Sequence, residues 1–493
     1  MHDKHGEGQT ILSLDIGSSS VRALLFSARG LPVAECEARR SYGLRVSPDG
    51  GVEAGADEIL ERVWECVDEV LAKAGRLAEQ IAGVACATLV SNILAVGEAG
   101  QALTPLITYA DTRPAADVPV LRQALDEDAI HQRTGCYFHP SYLPARFLWV
   151  KRTRPELLNA QVRWLTIGEY LALRCFGRTA VSFSAASWSG LLDRRRLDWD
   201  AELLDFIDLD RQALSGLVDL DEPLSGLLPP FARRWPALKD VPWFPAVGDG
   251  ASANIGSNCI DPSRVAVTVG TSSAARATML DEVQHVPAGL WCYRVDRRRS
   301  LLGGALSEGG IIFSWLAQVL KLEAGMDLDA MLAKMPPDEH GLTFLPMLAG
   351  ERSPGWDGAR RGALDGLTLA TRPIDILQAG MEAVAYRLAI VFRLLRSALP
   401  GEPEIIASGG ALLNSTAWQR ILADVLGKPI RISPGEEASA RGAALLAFEA
   451  IGCASPDGQA ADSHQLAVQP DLDRHKIYAL AIQRQQALYE KLR

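Results

Sequence analysis

The chain has 493 residues, more than one ordinary core accommodates, so two to four domains are expected. Its composition, 48% hydrophobic and 22% charged with 43 Gly and 27 Pro, is that of folded protein and excludes disorder, collagen and coiled coil. A formal charge of −10 lacks the basic footprint of a nucleic-acid binder, which leaves a small molecule as the expected partner. Eight cysteines stand far apart with no CxxC pair, which argues against a zinc site or disulfide scaffold and predicts a reduced, cytoplasmic setting. The opening MHDKHGEGQT is polar and no long apolar run follows, so neither a signal peptide nor a membrane span is expected.

The first predicted element covers residues 11–26, ILSLDIGSSSVRALLF, two apolar runs joined by a Gly/Ser turn, the pattern of a β-hairpin. Residues 228–243, LPPFARRWPALKDVPW, concentrate prolines and predict a non-helical connector, with lobes over 1–245 and 246–493. Residues 265–280, VAVTVGTSSAARATML, repeat the plan of the first hairpin, Gly270 following Gly17 by 253 positions, close to half the chain. Two similar lobes are therefore expected. Pro373 opens a predicted helix with Ile374, Leu377, Met381, Val384 and Leu388 at helical spacing, and Gly380 inside it implies a close contact. A strand at Glu404–Ser408, the turn Gly409-Gly410 and a helix capped by Ser415 or Thr416 complete one α/β unit.

Asp15 ends an apolar strand and meets a turn rich in hydroxyls and free backbone N–H groups. Such a turn cradles phosphate, and the carboxylate can hold magnesium through water; a plain Asx-turn is the alternative for a lone instance. The second copy at Gly270-Thr271 favours phosphate, gripped from both sides of a cleft. Gly248-Asp249-Gly250 places an acid between two residues without side chains, free to reach a substrate hydroxyl or to cap a helix. Gly248-x-Gly250-x-x-Ala253 lacks the context of a dinucleotide fingerprint, and no GxxxxGK[ST], HExxH or GxSxG occurs. The eight histidines show no ligand spacing, His131 and His139 included. Trp188 is the tryptophan assigned to a pocket wall.

These residues together resemble the FGGY carbohydrate kinases, relatives of the heat-shock chaperone ATPases and actin. Asp15-Ile16-Gly17-Ser18-Ser19-Ser20 is similar to their first phosphate loop, Gly270-Thr271-Ser272 to the second, and Ser408-Gly409-Gly410-Ala411 with Asn414 to the adenosine segment. Gly248-Asp249-Gly250 falls on the catalytic aspartate, and GALDGL (362–367) followed by DILQAGME (375–382) follows the second family signature except at Gly380. Within the family, FLPMLAGERSP (344–354), Tyr109-Ala-Asp111-Thr-Arg113 and RTGCYFHP (133–140) look most like gluconate kinases, xylulose kinases next. The sequence departs from them at Val90-Ser91, where they carry Met-His, at Glu308-Gly309-Gly310, where an Asn often precedes the glycines, and at Arg146, where they carry Lys.

The resemblance implies an α/β fold of two ribonuclease H-like lobes with a cleft between them, the last helix packing back on the first lobe. It implies ATP and Mg2+, phosphates and nucleoside being held by Asp15, Gly17, Ser18, Ser19, Arg22, Gly270, Thr271, Gly310, Gly409, Gly410, Ala411 and Asn414. Asp15 would hold the metal, Asp249 would be the base, and Ser91 and Asp111 would meet the sugar. The implied reaction is phosphorylation of a hydroxyl on a gluconate-like sugar acid, or on a sugar or polyol. The alternatives are a xylulose, ribulose or glycerol kinase and a non-catalytic actin-like nucleotide switch. No nucleic acid or membrane partner is expected, and a homodimer is compatible with the family.

Overall fold

The computed structural model describes residues 8–322, 325–433, 437–453 and 467–492. Both predicted hairpins form. Thr10–Ile16 pairs antiparallel with Ser20–Ser27, and Arg264–Val269 with Ser273–Met279, each closed by a three-residue turn. In the first lobe Pro32–Ser41 adds antiparallel to one side of the hairpin, and Ile81–Thr88 followed by Val247–Gly248 adds parallel to the other. In the second, Ser300–Leu306 adds antiparallel, and Glu404–Ser408 followed by Ile430–Ile432 adds parallel. The two sheets thus share one five-strand plan, and the second is widened to seven strands by Trp291–Arg294 and Ala467–Val468. This shared topology gives the 253-residue offset its structural meaning.

Sheet alternation alone does not build the lobes, because both sheets are covered by helices and their central strands are buried on both faces. The helix Ala56–Ala74 lays Ile59, Val63, Val67 and Val70 on the first sheet. Pro373–Arg396 does the same for the second, starting at Pro373, where a missing N–H costs nothing. A Cβ on Gly380 would lie 2.5 Å from Leu316 Cδ1, so the predicted close contact is with the helix Gly310–Val319.

Three sequence expectations are revised. The proline-rich stretch is not free of helix: Pro229–Arg234 and the 3₁₀ turn Pro236–Leu238 use their prolines as first residues. The first-lobe sheet runs on to Gly248, past the expected division at 245/246, because Val247 and Gly248 pair with Ala87 and Thr88. The final helix Leu472–Lys491 packs within the second lobe, where Tyr478, Ala481 and Ile482 join its core. The helix that reaches the first lobe is Ala438–Ala450, whose Ala440, Ala443, Ala444, Ala447 and Phe448 lie on Ile11, Phe26, Ala85 and Ala87. All eight cysteines are free thiols, and no helix among the described residues is long and apolar enough to cross a membrane.

Candidate active site

Three adjoining cavities run along the cleft between the two hairpin turns. The first, of about 560 Å³, is lined by Gly270, Thr271, Gly310, Gly410, Ala411, Asn414 and Trp418. The second, of about 350 Å³, is lined by Asp15, Gly17, Ser18, Ser19, Arg22, Asp249, Arg276 and Gly409. The third, of about 240 Å³, is lined by Ser91, Tyr109, Trp188, Asp249, Arg276 and Arg352. Asp249 and Arg276 face both the second and the third.

Each turn is held open by its neighbours. Gly17 N–H donates to the Ser20 carbonyl at 3.0 Å, and the Tyr42 hydroxyl donates to the Gly17 carbonyl, leaving Ser18 and Ser19 at the cavity. At the second turn Gly270 N–H donates to the Ser272 carbonyl at 2.9 Å, and Gly310 N–H to the Gly270 carbonyl at 2.6 Å. A Cβ on Gly309 would lie 2.6 Å from the Ser272 carbonyl oxygen, so the Gly309-Gly310 pair lets helix Gly310–Val319 start against the turn. Gly409 has φ +99°, with Val269 backbone 2.5 Å from where a Cβ would stand. Gly410 faces open space. One glycine supplies the turn and the other supplies room.

The electrostatics centre on two carboxyls. Asp249 begins the helix Asp249–Gly256 and accepts Gly250 N–H at 2.7 Å; burial pushes its pKa up to about 6, with the Gly250 N–H and Arg276 pulling the other way. Burial and then repulsion by Asp249 push Asp15 up to about 7, against the charge of Arg22. Burial makes both costly to ionise, which suits a chamber that would take a cation. The second cavity contributes Ser18, Ser19, Arg22, Arg39 and Arg276 as donors around that pair, a set that fits polyphosphate with magnesium. Asp15 is the carboxylate of this chamber that would hold such an ion, which would neutralise phosphate charge. Arg22 also reaches across the lobes to Glu437 at 2.6 Å.

The expected nucleotide residues therefore gather in the first two cavities, and Ser91 and Asp249 in the third. Ser91 adopts φ 51° and spends its hydroxyl proton on the Trp188 carbonyl at 2.6 Å. Asp111 is not among the lining residues. Its side chain is wholly buried, paired with Arg113 at 2.5 Å, and accepts Val52 N–H at 3.1 Å. Tyr109, two residues earlier, lines the cavity instead. Arg146, also buried, donates to the carbonyls of Ser91 and Thr108 at 2.8 and 2.9 Å and fixes the loops on which Ser91 and Tyr109 stand. Arg276 and Arg352 were not singled out as site residues. The available signal was a charge set among small apolar neighbours in SAARATM, where a buried arginine requires a partner or a ligand.

Models of the FGGY family of carbohydrate kinases match this chain through their N-terminal domain over residues 10–256 and their C-terminal domain over 265–451. The gluconokinase of Bacillus subtilis (strain 168) is 28% identical over 454 residues, covering 90% of this chain and 88% of its own. The xylulose kinase of Escherichia coli (strain K12) is 26% identical over 441 residues, covering 88% and 89%. Among solved structures, gluconate kinase from Lactobacillus acidophilus superimposes with TM-score 0.86 at 25% identity, over 98% of both chains. The ligand-bound xylulose kinase from the same organism gives 0.88 at 26%, also over 98% of both. With the duplicated hairpins facing one cleft and both family domains matched along most of its length, the chain belongs to the FGGY family of carbohydrate kinases and is an enzyme that phosphorylates a sugar hydroxyl, with ATP as phosphoryl donor.

Proposed function

We propose that the protein transfers the γ-phosphoryl group of MgATP to a hydroxyl of a sugar acid, ketose or polyol, with a gluconate-like acceptor favoured. The observation that carries this reading is the position of Asp249, the one carboxylate shared by the phosphate chamber and the acceptor cavity. A hydroxyl bound in the third cavity gives its proton to Asp249 as its oxygen bonds to phosphorus and the bond to the ADP oxygen breaks. The N–H groups and hydroxyls of the two turns, with Arg276, meet the charge spread over the phosphoryl oxygens. Asp15 would hold the magnesium ion, which would supply further neutralisation there. Tyr109 and Trp188 wall the acceptor cavity, and closing of the lobes on substrate excludes water from the transfer.

A gluconate-like acceptor is supported by the gluconate kinases among both the sequence relatives and the solved structures. The test is acceptor-dependent ADP release with MgATP across a panel of aldonates, ketoses and polyols. Release that no acceptor stimulates would remove the proposal.

A further inference from the structure

The acceptor cavity carries a second positive charge that the phosphoryl transfer does not use. Arg276 belongs to the reacting end: it also lines the phosphate chamber, donates to Thr268 Oγ1 at 3.0 Å, and its charge offsets burial at Asp249. Arg352 lines the acceptor cavity only, among the cavities just described. Its charge is felt at Tyr109, His139 and Tyr142, and burial with that charge pushes the His139 pKa down to about 3, so the imidazole stays neutral.

Among the described residues Arg352 has no ion pair. The acid beside it, Glu351, is taken by Arg387 and by the Tyr489 hydroxyl at 2.7 Å. Its Nε is buried without a hydrogen-bond partner, as are the indole N–H groups of Trp188 and Trp291 on the same walls. A pocket with several unspent donors, and no carboxylate but the base, is matched by a ligand that brings an anion and acceptor oxygens. A guanidinium meets a carboxylate with two parallel hydrogen bonds, and a neutral acceptor would leave that capacity unused.

Resting on the kinase reading above, we propose that Arg352 binds the carboxylate of the acceptor. The substrate is then an aldonic acid spanning the cavity, with its carboxylate at Arg352 and the hydroxyl to be phosphorylated at Asp249.

The test compares five- and six-carbon aldonates with the alditols made by reducing their carboxyl carbon, for instance gluconate with glucitol, a pair differing only at that end. Wild-type enzyme should prefer the acid in each productive pair. Arg352→Gln should lower kcat/KM for the acid by about 10- to 100-fold, chiefly through KM, and should lower it far less for the alditol. Arg352→Lys, which keeps charge but not the planar fork, should restore part of the preference and serves if the glutamine variant does not fold. Equal losses on acid and alditol would mark Arg352 as structural and overturn the proposal. So would a wild-type preference for the neutral acceptor, or an acid preference that survives both substitutions, the kinase reading standing in each of those cases. Transfer by wild type to no acceptor at all would instead overturn the kinase reading and this inference with it.

Discussion

As the proposed base, Asp249 would have to combine two properties that usually oppose each other, deep burial and ready exchange of a proton. Burial raises its pKa from the usual 3.8 to about 6, close to the working pH, where a base is both ionised and strong enough to accept a proton. Asp249→Asn should therefore lower turnover by about 10² to 10⁴ while ATP binding persists, as read by steady-state rates and calorimetry. Near-normal turnover would remove Asp249 as the base. In the wild type kcat/KM should fall as pH drops through about 6, since only the ionised form accepts the proton. The same shift sets stability. A folded-state pKa above the unfolded one means that the folded protein holds the proton more tightly, so stability declines as pH rises from about 4 to about 6. The asparagine variant escapes that loss and should melt above wild type at neutral pH, by about 1 to 3 kcal/mol of stability. The place of Asp249 at the cavities was legible in the sequence because two glycines flank it. Arg276 and Arg352 were not, because an arginine's place depends on which distant groups pair with it, and for the same reason the pairing of Asp111 with Arg113 was not legible either.

At the scale of elements, the turn between Glu404–Ser408 and the short helix Gly410–Leu413 separates two kinds of glycine. Gly410 looks onto the first cavity, the proposed nucleoside site, with nothing within 4 Å of an added Cβ, so Gly410→Val should fold normally and fill space that ATP would need. Its ATP affinity should fall by about tenfold or more, with little direct change in affinity for the sugar, measured by calorimetry for each ligand. Unchanged ATP affinity would take this turn out of the nucleotide site. Gly409, at φ +99° and with an added Cβ falling 2.5 Å from the Val269 backbone, should behave oppositely: Gly409→Ala should cost about 1 to 3 kcal/mol in denaturant unfolding. The hairpins, the long helix and this turn were readable from local pattern. The helix Ala438–Ala450, ASARGAALLAFEA, was not, since it is buried on more than one side and shows no polar face to mark a period.

That helix decides how the molecule holds together. It belongs to the second half of the chain yet lies on the first-lobe sheet, and Ser13 Oγ donates to the Ala440 carbonyl at 2.7 Å. It also crosses Asp249–Gly256, the helix that starts with the proposed base, and the crossing is made at two glycines. A Cβ on Gly442 would overlap the Ser252 carbonyl oxygen, and one on Gly256 would overlap the Ala438 carbonyl oxygen, so the two backbones touch. Because the contact is backbone to backbone, no rotamer change can relieve an added methyl; the helices must separate. Gly442→Ala should therefore destabilise the protein by about 2 to 4 kcal/mol. Since the lobes share this joint, unfolding should remain one transition. The same displacement shifts Asp249 against the turns at Gly17 and Gly270, and misplacement by about 1 Å is enough to lower kcat by roughly 10²-fold. Gly401→Ala, where an added Cβ meets nothing within 4 Å, is the matched control and should change neither stability nor rate. If Gly442→Ala kept wild-type kcat despite lost stability, the crossing would hold the lobes together without setting the position of the base.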